Sequence, residues 1–168
     1  MSRLEYLIYS AIIAVGIALD QLTKWLSVKY LAPIDTLPII KDVIHLTYVE
    51  NRGAAFGMLA NHRWVFIIIS TVTIVLLLYL LFSGRLSSNK LYTVSVAMII
   101  SGGIGNMIDR TLLGYVVDFI DFRLINFAVF NGADSFVCVG AGILMLGLVL
   151  DIIAESKKQK QNTEDREN

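Results

Sequence analysis

Trp64-Val65-Phe66-Ile67-Ile68-Ile69-Ser70-Thr71-Val72-Thr73-Ile74-Val75-Leu76-Leu77-Leu78-Tyr79-Leu80-Leu81-Phe82 contains no charged side chain. A helix of that length rises close to the ~30 Å of a bilayer's hydrocarbon core. Ser83-Gly84-Arg85 then ends the run with turn formers and a cation. The whole chain has the same character. Its 168 residues are 56% hydrophobic and 17% charged, and its mean hydropathy is +0.68, too apolar for a soluble domain of this size. The expected fold class is an α-helical integral membrane protein.

Working outward from this span, three more appear, giving four transmembrane helices at about residues 4–28, 64–82, 91–109 and 133–153. The first is apolar through residue 19 and then carries Asp20 and Lys24. A cleaved signal peptide is the alternative there, with Arg3 as the charged start and Ala14-Val15-Gly16 as a small-residue site, but apolar character continues past that site. The third runs through Met98-Ile99-Ile100 into a glycine-rich segment that allows close approach of neighbouring backbones. The fourth holds Gly140, Gly142 and Gly147. Together they make one domain, residues 1–154, followed by a polar tail, 155–168, expected to be disordered.

The basic residues divide evenly between the two orientations, so position decides. Lys157, Lys158 and Lys160 follow the fourth span, and residues 83–90 hold two cations and no acid, which puts both termini in the cytoplasm. The two outside segments carry extended patterns. Residues 43–49 are β-branched and aromatic, with Ile44, Leu46 and Tyr48 on one face of a strand, while Pro33 and Pro38 punctuate the approach. Residues 116–123 also read as extended, so a small extracytoplasmic β-element on the membrane surface is expected.

Several function classes are disfavoured at once. Net charge is zero and no basic stripe is present, so no nucleic-acid partner is expected. Cys138 is the sole cysteine, read as a buried small hydrophobe. His45 and His62 show no zinc-ligand spacing and read as loop or interface residues.

The informative residues are acids at membrane depth, where an unpaired charge costs several kcal/mol. Asp118 lies in Val116-Val117-Asp118-Phe119, and Asp134 heads the fourth span. Two carboxyls in a poorly solvated site share a proton, as in an aspartic protease. Paired intramembrane acids also serve proton pathways or structural contacts. Asn131 and Asp134 equally fit a capping box at the start of the fourth helix. Gly102, Asn106 and Asp109 share a helical face, while Asp109 with Arg110 could be an ion pair at a helix end. Asp20 and Lys24 fit an i, i+4 structural pair, and Asp121 reads as a solvated strand residue.

Five stretches, taken in order, resemble the lipoprotein signal peptidase (signal peptidase II) family of bacterial inner-membrane aspartic proteases. They are Asp20-Gln21-Leu22-Thr23-Lys24, Asn51-Arg52-Gly53-Ala54-Ala55-Phe56-Gly57, Gly102-Gly103-Ile104-Gly105-Asn106-Met107-Ile108-Asp109-Arg110, Val116-Val117-Asp118-Phe119 and Phe130-Asn131-Gly132-Ala133-Asp134-Ser135. The resemblance implies an endopeptidase that removes signal peptides from diacylglyceryl-modified prolipoproteins, cutting just before the lipidated cysteine. It implies Asp118 and Asp134 as the catalytic pair near the extracytoplasmic face. Asn51, Gly53, Asn106, Asp109, Arg110 and Asn131 would support the site or bind substrate, and Asp20 and Lys24 would stabilise the fold. No cofactor or metal is expected, and the partners are the lipidated precursor and membrane phospholipid, with the protein a monomer. Gly132 departs from the pattern, standing where a bulkier aliphatic is familiar. Two readings from other classes remain: a proton-coupled carrier or channel using Asp109, Asp118 and Asp134, and a magnesium-assisted lipid phosphotransferase.

Overall fold

A computed structural model describes residues 2–53, 62–86 and 89–167. Helix α1, Arg3–Leu26, starts at Ser2 in a reciprocal capping box with Glu5 and ends in a π-helical turn, Ser27–Leu31. Strands β1, Thr36–Ile40, and β2, Ile44–Asn51, follow. Helix α2 spans Arg63–Phe82 and α3 spans Lys90–Leu112, the latter capped by Asn89. Strand β3, Val116–Phe122, and a 3-10 turn, Arg123–Ile125, lead to α4, Gly132–Glu167.

All four helices are long and apolar enough to cross a bilayer. Half of the apolar window of α3 is buried against 11% of those of α2 and α4, which makes α3 the central helix and leaves the others facing lipid. Tyr9, Ile74, Leu81, Val96, Ala97 and Ile100 form the core. With lipid as apolar as leucine, such helices associate through close packing rather than through expulsion of water. The α3 glycines supply that packing. A Cβ on Gly102 would sit 2.2 Å from the carbonyl oxygen of Ala133, and one on Gly105 would sit 2.5 Å from Asp20 Oδ2.

The sheet is antiparallel with order β1-β2-β3. β2 and β3 match the expected extended segments, and β1 was hidden by Pro38. Proline lacks the N–H a central strand needs, but β1 is an edge strand, where its loss is tolerated. The expected shared face of Ile44, Leu46 and Tyr48 is broken by a register shift between Leu46 and Val49. The buried side chain of β2 is instead His45, whose Nε2 accepts the Asp42 N–H at 3.2 Å. It is a strand residue, not a loop residue.

Three further expectations change. Asp121 is buried, accepting from Thr47 at 2.7 Å and from Arg123 at 2.9 Å, because it pairs across the sheet with the buried His45 of β2. Burial pushes its carboxyl up, but these two partners outweigh it and hold Asp121 below the usual carboxylate range. Cys138 is exposed, because the side of α4 that carries it lines a cavity instead of meeting another helix. The polar tail continues α4 as helix through Glu167. Its Glu, Lys and Gln side chains are good helix formers extending a helix already nucleated.

Candidate active site

The segments that join the helices meet at one end of the bundle, where α3 closes and α4 opens. Asp109 organises that corner. Its carbonyl accepts the N–H groups of Leu113 and Gly114 to finish α3. Gly114 then turns the chain at φ +86°, a conformation that favours glycine. The Asp109 carboxylate accepts the Val117 N–H at 3.1 Å and so pins the start of β3. β3 carries Asp118, 1% exposed, to the junction.

Across from it, α4 begins with a reciprocal cap. The Asp134 N–H donates to Asn131 Oδ1 at 2.9 Å, and the Asn131 N–H donates to Asp134 Oδ2 at 3.3 Å. The capping-box reading is therefore correct in geometry, and it fixes the Asp134 carboxyl as well as the helix. Asp118 and Asp134 line the same cavity of about 710 Å³.

Three asparagines converge on these carboxyls. Asn51 Nδ2 donates to Asp118 Oδ2 at 2.9 Å, Asn131 Nδ2 to Asp118 Oδ1 at 2.6 Å, and Asn106 Nδ2 to Asp134 Oδ1 at 2.7 Å. Each amide is held in that sense by a partner that can only donate. Gly53 N–H occupies Asn51 Oδ1 at 2.9 Å, Asp134 N–H occupies Asn131 Oδ1, and Lys24 Nζ occupies Asn106 Oδ1 at 2.9 Å. A flipped amide would face donor to donor, so the NH₂ groups must point at the acids. β2 extends past its expected end to Asn51, and that extension delivers the first of the three.

Asp118 is perturbed as its surroundings require. Burial pushes its carboxyl up, the Asn51 amide pulls it back, and the Asp134 charge raises it again, while Asn131 and Lys24 oppose; the result is about 6. Desolvation thus outweighs the hydrogen bonds to the charged form. A carboxyl raised to about 6 is closer to the range in which an acid–base catalyst is useful.

Behind the asparagines lies a buried ionic cluster. Lys24 meets Asp20 at 2.9 Å and Asp109 at 3.0 Å, with all three side chains nearly inaccessible. Asp20 also accepts the Ala133 N–H at 2.9 Å, tying α1 to the first turn of α4. The i, i+4 pair of Asp20 and Lys24 is present, and Asp109 joins it instead of pairing with Arg110. Arg110 turns the other way, donating to the Gly53 carbonyl at 3.2 Å and lying 4.9 Å from the centre of the Phe66 ring. Gly102, Asn106 and Asp109 share the buried face of α3. Ala54, Ala55, Phe56 and Gly57, part of the second motif, lie outside the described residues.

Gln21 belongs to the site, although only its place in the first motif pointed there. Its amide donates to Asp20, to the Gly105 carbonyl and to Asp109 at 3.2, 3.3 and 3.0 Å. Ser70 and Thr73, also unassigned from sequence, line the cavity from α2. Their i, i+3 spacing within a chargeless span was the available signal. Among the described residues no group of three or more His, Cys, Asp or Glu side chains could hold a metal ion.

A family model described as signal peptidase (SPase) II matches residues 12–150. The chain belongs to the signal peptidase II family. It is 56% identical over 133 residues to a lipoprotein signal peptidase of Caldanaerobacter subterraneus subsp. tengcongensis, covering 79% of this chain and 90% of that protein. It is 45% identical over 144 residues to one from Brevibacillus brevis, covering 85% and 95%. Among solved structures it is similar to a bacterial membrane enzyme determined by the in meso method at 2.3 Å resolution. That match has a TM-score of 0.76 and 29% identity, covering 86% of this chain and 89% of that one. The family comprises proteases that cleave signal peptides from prolipoproteins, and this member is a multi-pass membrane protein with four helices and a three-stranded sheet.

Proposed function

We propose that Asp118 and Asp134 are the catalytic dyad of an aspartic endopeptidase acting on diacylglyceryl-modified prolipoproteins just before the lipidated cysteine. The observation that carries this reading is the convergence of three orientation-locked asparagine amides on two carboxyls that line one cavity. One carboxylate takes a proton from a water as it attacks the scissile carbonyl, and the protonated partner donates to the developing oxyanion. The pair changes roles without a covalent intermediate and without a cofactor. As a coupled pair it titrates with values that belong to both residues.

The cavity walls are mostly aliphatic, including Ile69, Ile74, Leu77, Ile99 and Val137. They suit a signal helix or acyl chain, whose remote binding energy positions the peptide at the dyad. Asn51 and Asn131 can also meet an extended substrate backbone, while Arg110, on the cavity wall, is held by the Gly53 carbonyl. The protein works as a monomer among phospholipids of the bacterial inner membrane. Both termini lie in the cytoplasm and the sheet and dyad at the extracytoplasmic face. An even number of spans, strands in the α1–α2 and α3–α4 connections, and Lys157 and Lys158 after the apolar part of α4 support this orientation.

The test is a gel-shift assay with purified protein and a diacylglyceryl-modified precursor. Asp118→Asn and Asp134→Asn should each abolish cleavage while the protein remains inserted and folded. Turnover retained by both variants overturns the proposal.

A further inference from the structure

We propose that Lys24 is a positioning residue for the dyad: its ammonium clamps Asn106 Oδ1, aims the Asn106 amide at Asp134, and places a buried positive charge one side chain behind the reacting pair. The inference rests on the dyad reading and gives Lys24 a role beyond holding helices together.

The geometry separates this role from a simple ion pair. Lys24 is 3% exposed, and its Nζ reaches Asp20, Asp109 and Asn106 at 2.9, 3.0 and 2.9 Å. An ammonium has three protons to give. Two go to carboxylates, as fold stabilisation alone would require. The third goes to a neutral amide oxygen that already accepts from Asn131 Nδ2 at 3.1 Å. That amide's other end touches Asp134 at 2.7 Å. Lys24, Asn106 and Asp134 thus form a chain in which every donor points towards the dyad.

Charge reaches the same destination. The charged groups around the dyad are Asp20 and Lys24 from α1, Asp109 and Arg110 from α3, Asp118 from β3 and Asp134 from α4. Asp20 and Asp109 both accept from Lys24 and from the backbone N–H groups of Ala133 and Val117, while Asn106 bridges Lys24 to the Asp134 carboxyl. The Lys24 charge pulls the Asp118 carboxyl down, against the effect of burial. In a poorly solvated site, one fixed positive charge favours a single negative charge on the pair over a fully protonated pair. It therefore helps maintain the singly ionised form the reaction begins from.

The experiment uses the full chain in detergent micelles or nanodiscs, with the rate of lipidated-precursor cleavage followed from pH 5 to 9. Wild type, Lys24→Gln, Asn106→Ala and the double variant are compared, each rate divided by the folded fraction from thermal unfolding. Lys24→Gln should move the acid limb of the profile to higher pH by about one unit, lowering the rate about tenfold on the acid side of the limb and about twofold at pH 7, with KM little changed. In the Asn106→Ala background the same substitution should cost much less kcat at the pH optimum, because the bridge is already gone, while the shift of the acid limb from the lost charge remains. Lys24→Gln with Asp109→Asn keeps the cluster's net charge at minus one, so if the single variant accumulates poorly this pair reads the loss of the bridge from kcat, with the acid limb little moved.

An acid limb left at the wild-type position, with activity simply following the folded fraction, assigns Lys24 a structural role and overturns the proposal. Equal kcat losses from Lys24→Gln at the pH optimum in both backgrounds overturn it too. Failure of the dyad reading looks different, since Asp118→Asn and Asp134→Asn would then retain turnover whatever Lys24 does.

Discussion

Gly102→Ala tests whether packing between α3 and α4 sets the position of the proposed catalytic pair. The added Cβ would lie 2.2 Å from the Ala133 carbonyl oxygen, 2.8 Å from Val137 Cγ2 and 3.1 Å from the Ala133 carbonyl carbon. Two of these atoms are backbone, so no rotamer change relieves the clash and α4 itself must shift. Reaching an ordinary non-bonded separation needs a displacement of roughly 1 Å. The residue after Ala133 is Asp134. Overpacking of this kind costs about 1–3 kcal/mol of stability, and a misplacement of about 1 Å can lower a rate by roughly 10²-fold. Gly132→Ala, at the residue before Ala133, is the matched control. Its Cβ would meet nothing nearer than Asp20 Oδ1 at 3.6 Å, so it should stabilise by about 0.4–1 kcal/mol through the unfolded chain and leave turnover unchanged. The assay pairs thermal unfolding in micelles with kcat/KM for a lipidated precursor per folded enzyme. Wild-type kcat/KM in folded Gly102→Ala would show that the dyad tolerates movement of α4, and the argument would fail.

Asn51→Ala removes an amide that favours ionised Asp118. A hydrogen bond to a charged group is worth about 1.5–3 kcal/mol, or roughly one to two pH units. The transition near pH 6 should therefore move up, so that activity is lost at a higher pH as the solution is acidified. A uniform fall in rate without that shift would assign Asn51 to substrate contact alone. Cys138, exposed on the cavity wall, should make cleavage sensitive to a bulky apolar maleimide, and Cys138→Ala should be resistant. Complete labelling with full activity would place the substrate elsewhere. Treatment with EDTA should leave the rate unchanged, and a loss restored by magnesium would favour the phosphotransferase reading.

Much of this architecture was legible because membrane spans and strands obey strong local constraints. A chargeless run such as residues 64–82 has few alternatives in water, and β3 announces itself through Val116, Val117, Phe119 and Ile120. The errors fell where tertiary context overrides local character. Pro38 sits in a strand because the strand is at an edge, His45 and Asp121 are buried because a sheet face is covered, and Cys138 is exposed because a cavity borders α4. Asp109 illustrates the limit best. Its sequence neighbour Arg110 was the obvious partner, yet adjacent residues on a helix point about 100° apart, and the available cation came from Lys24 on α1. The three-asparagine arrangement was not readable in the same way, since Asn51, Asn106 and Asn131 come from a strand, a helix and a loop before a helix.

The competing readings of the acids turn out to describe one structure. Asn131 caps α4 through Asp134 and also donates to Asp118. Asp109 ends α3, starts β3 and binds Lys24. Asp20 joins α1 to α4 through the Ala133 N–H. Using structural connections as the second layer of the site has a physical advantage, because neutral amides can be aimed at a buried acid pair without adding charge to the low-dielectric interior. Their orientations are set by backbone N–H groups and one ammonium before any substrate arrives, so little reorganisation remains for the chemical step. The same economy makes the site fragile. A substitution that loosens a cap or an interhelical glycine contact should show first as lost turnover, at a destabilisation too small to unfold the bundle.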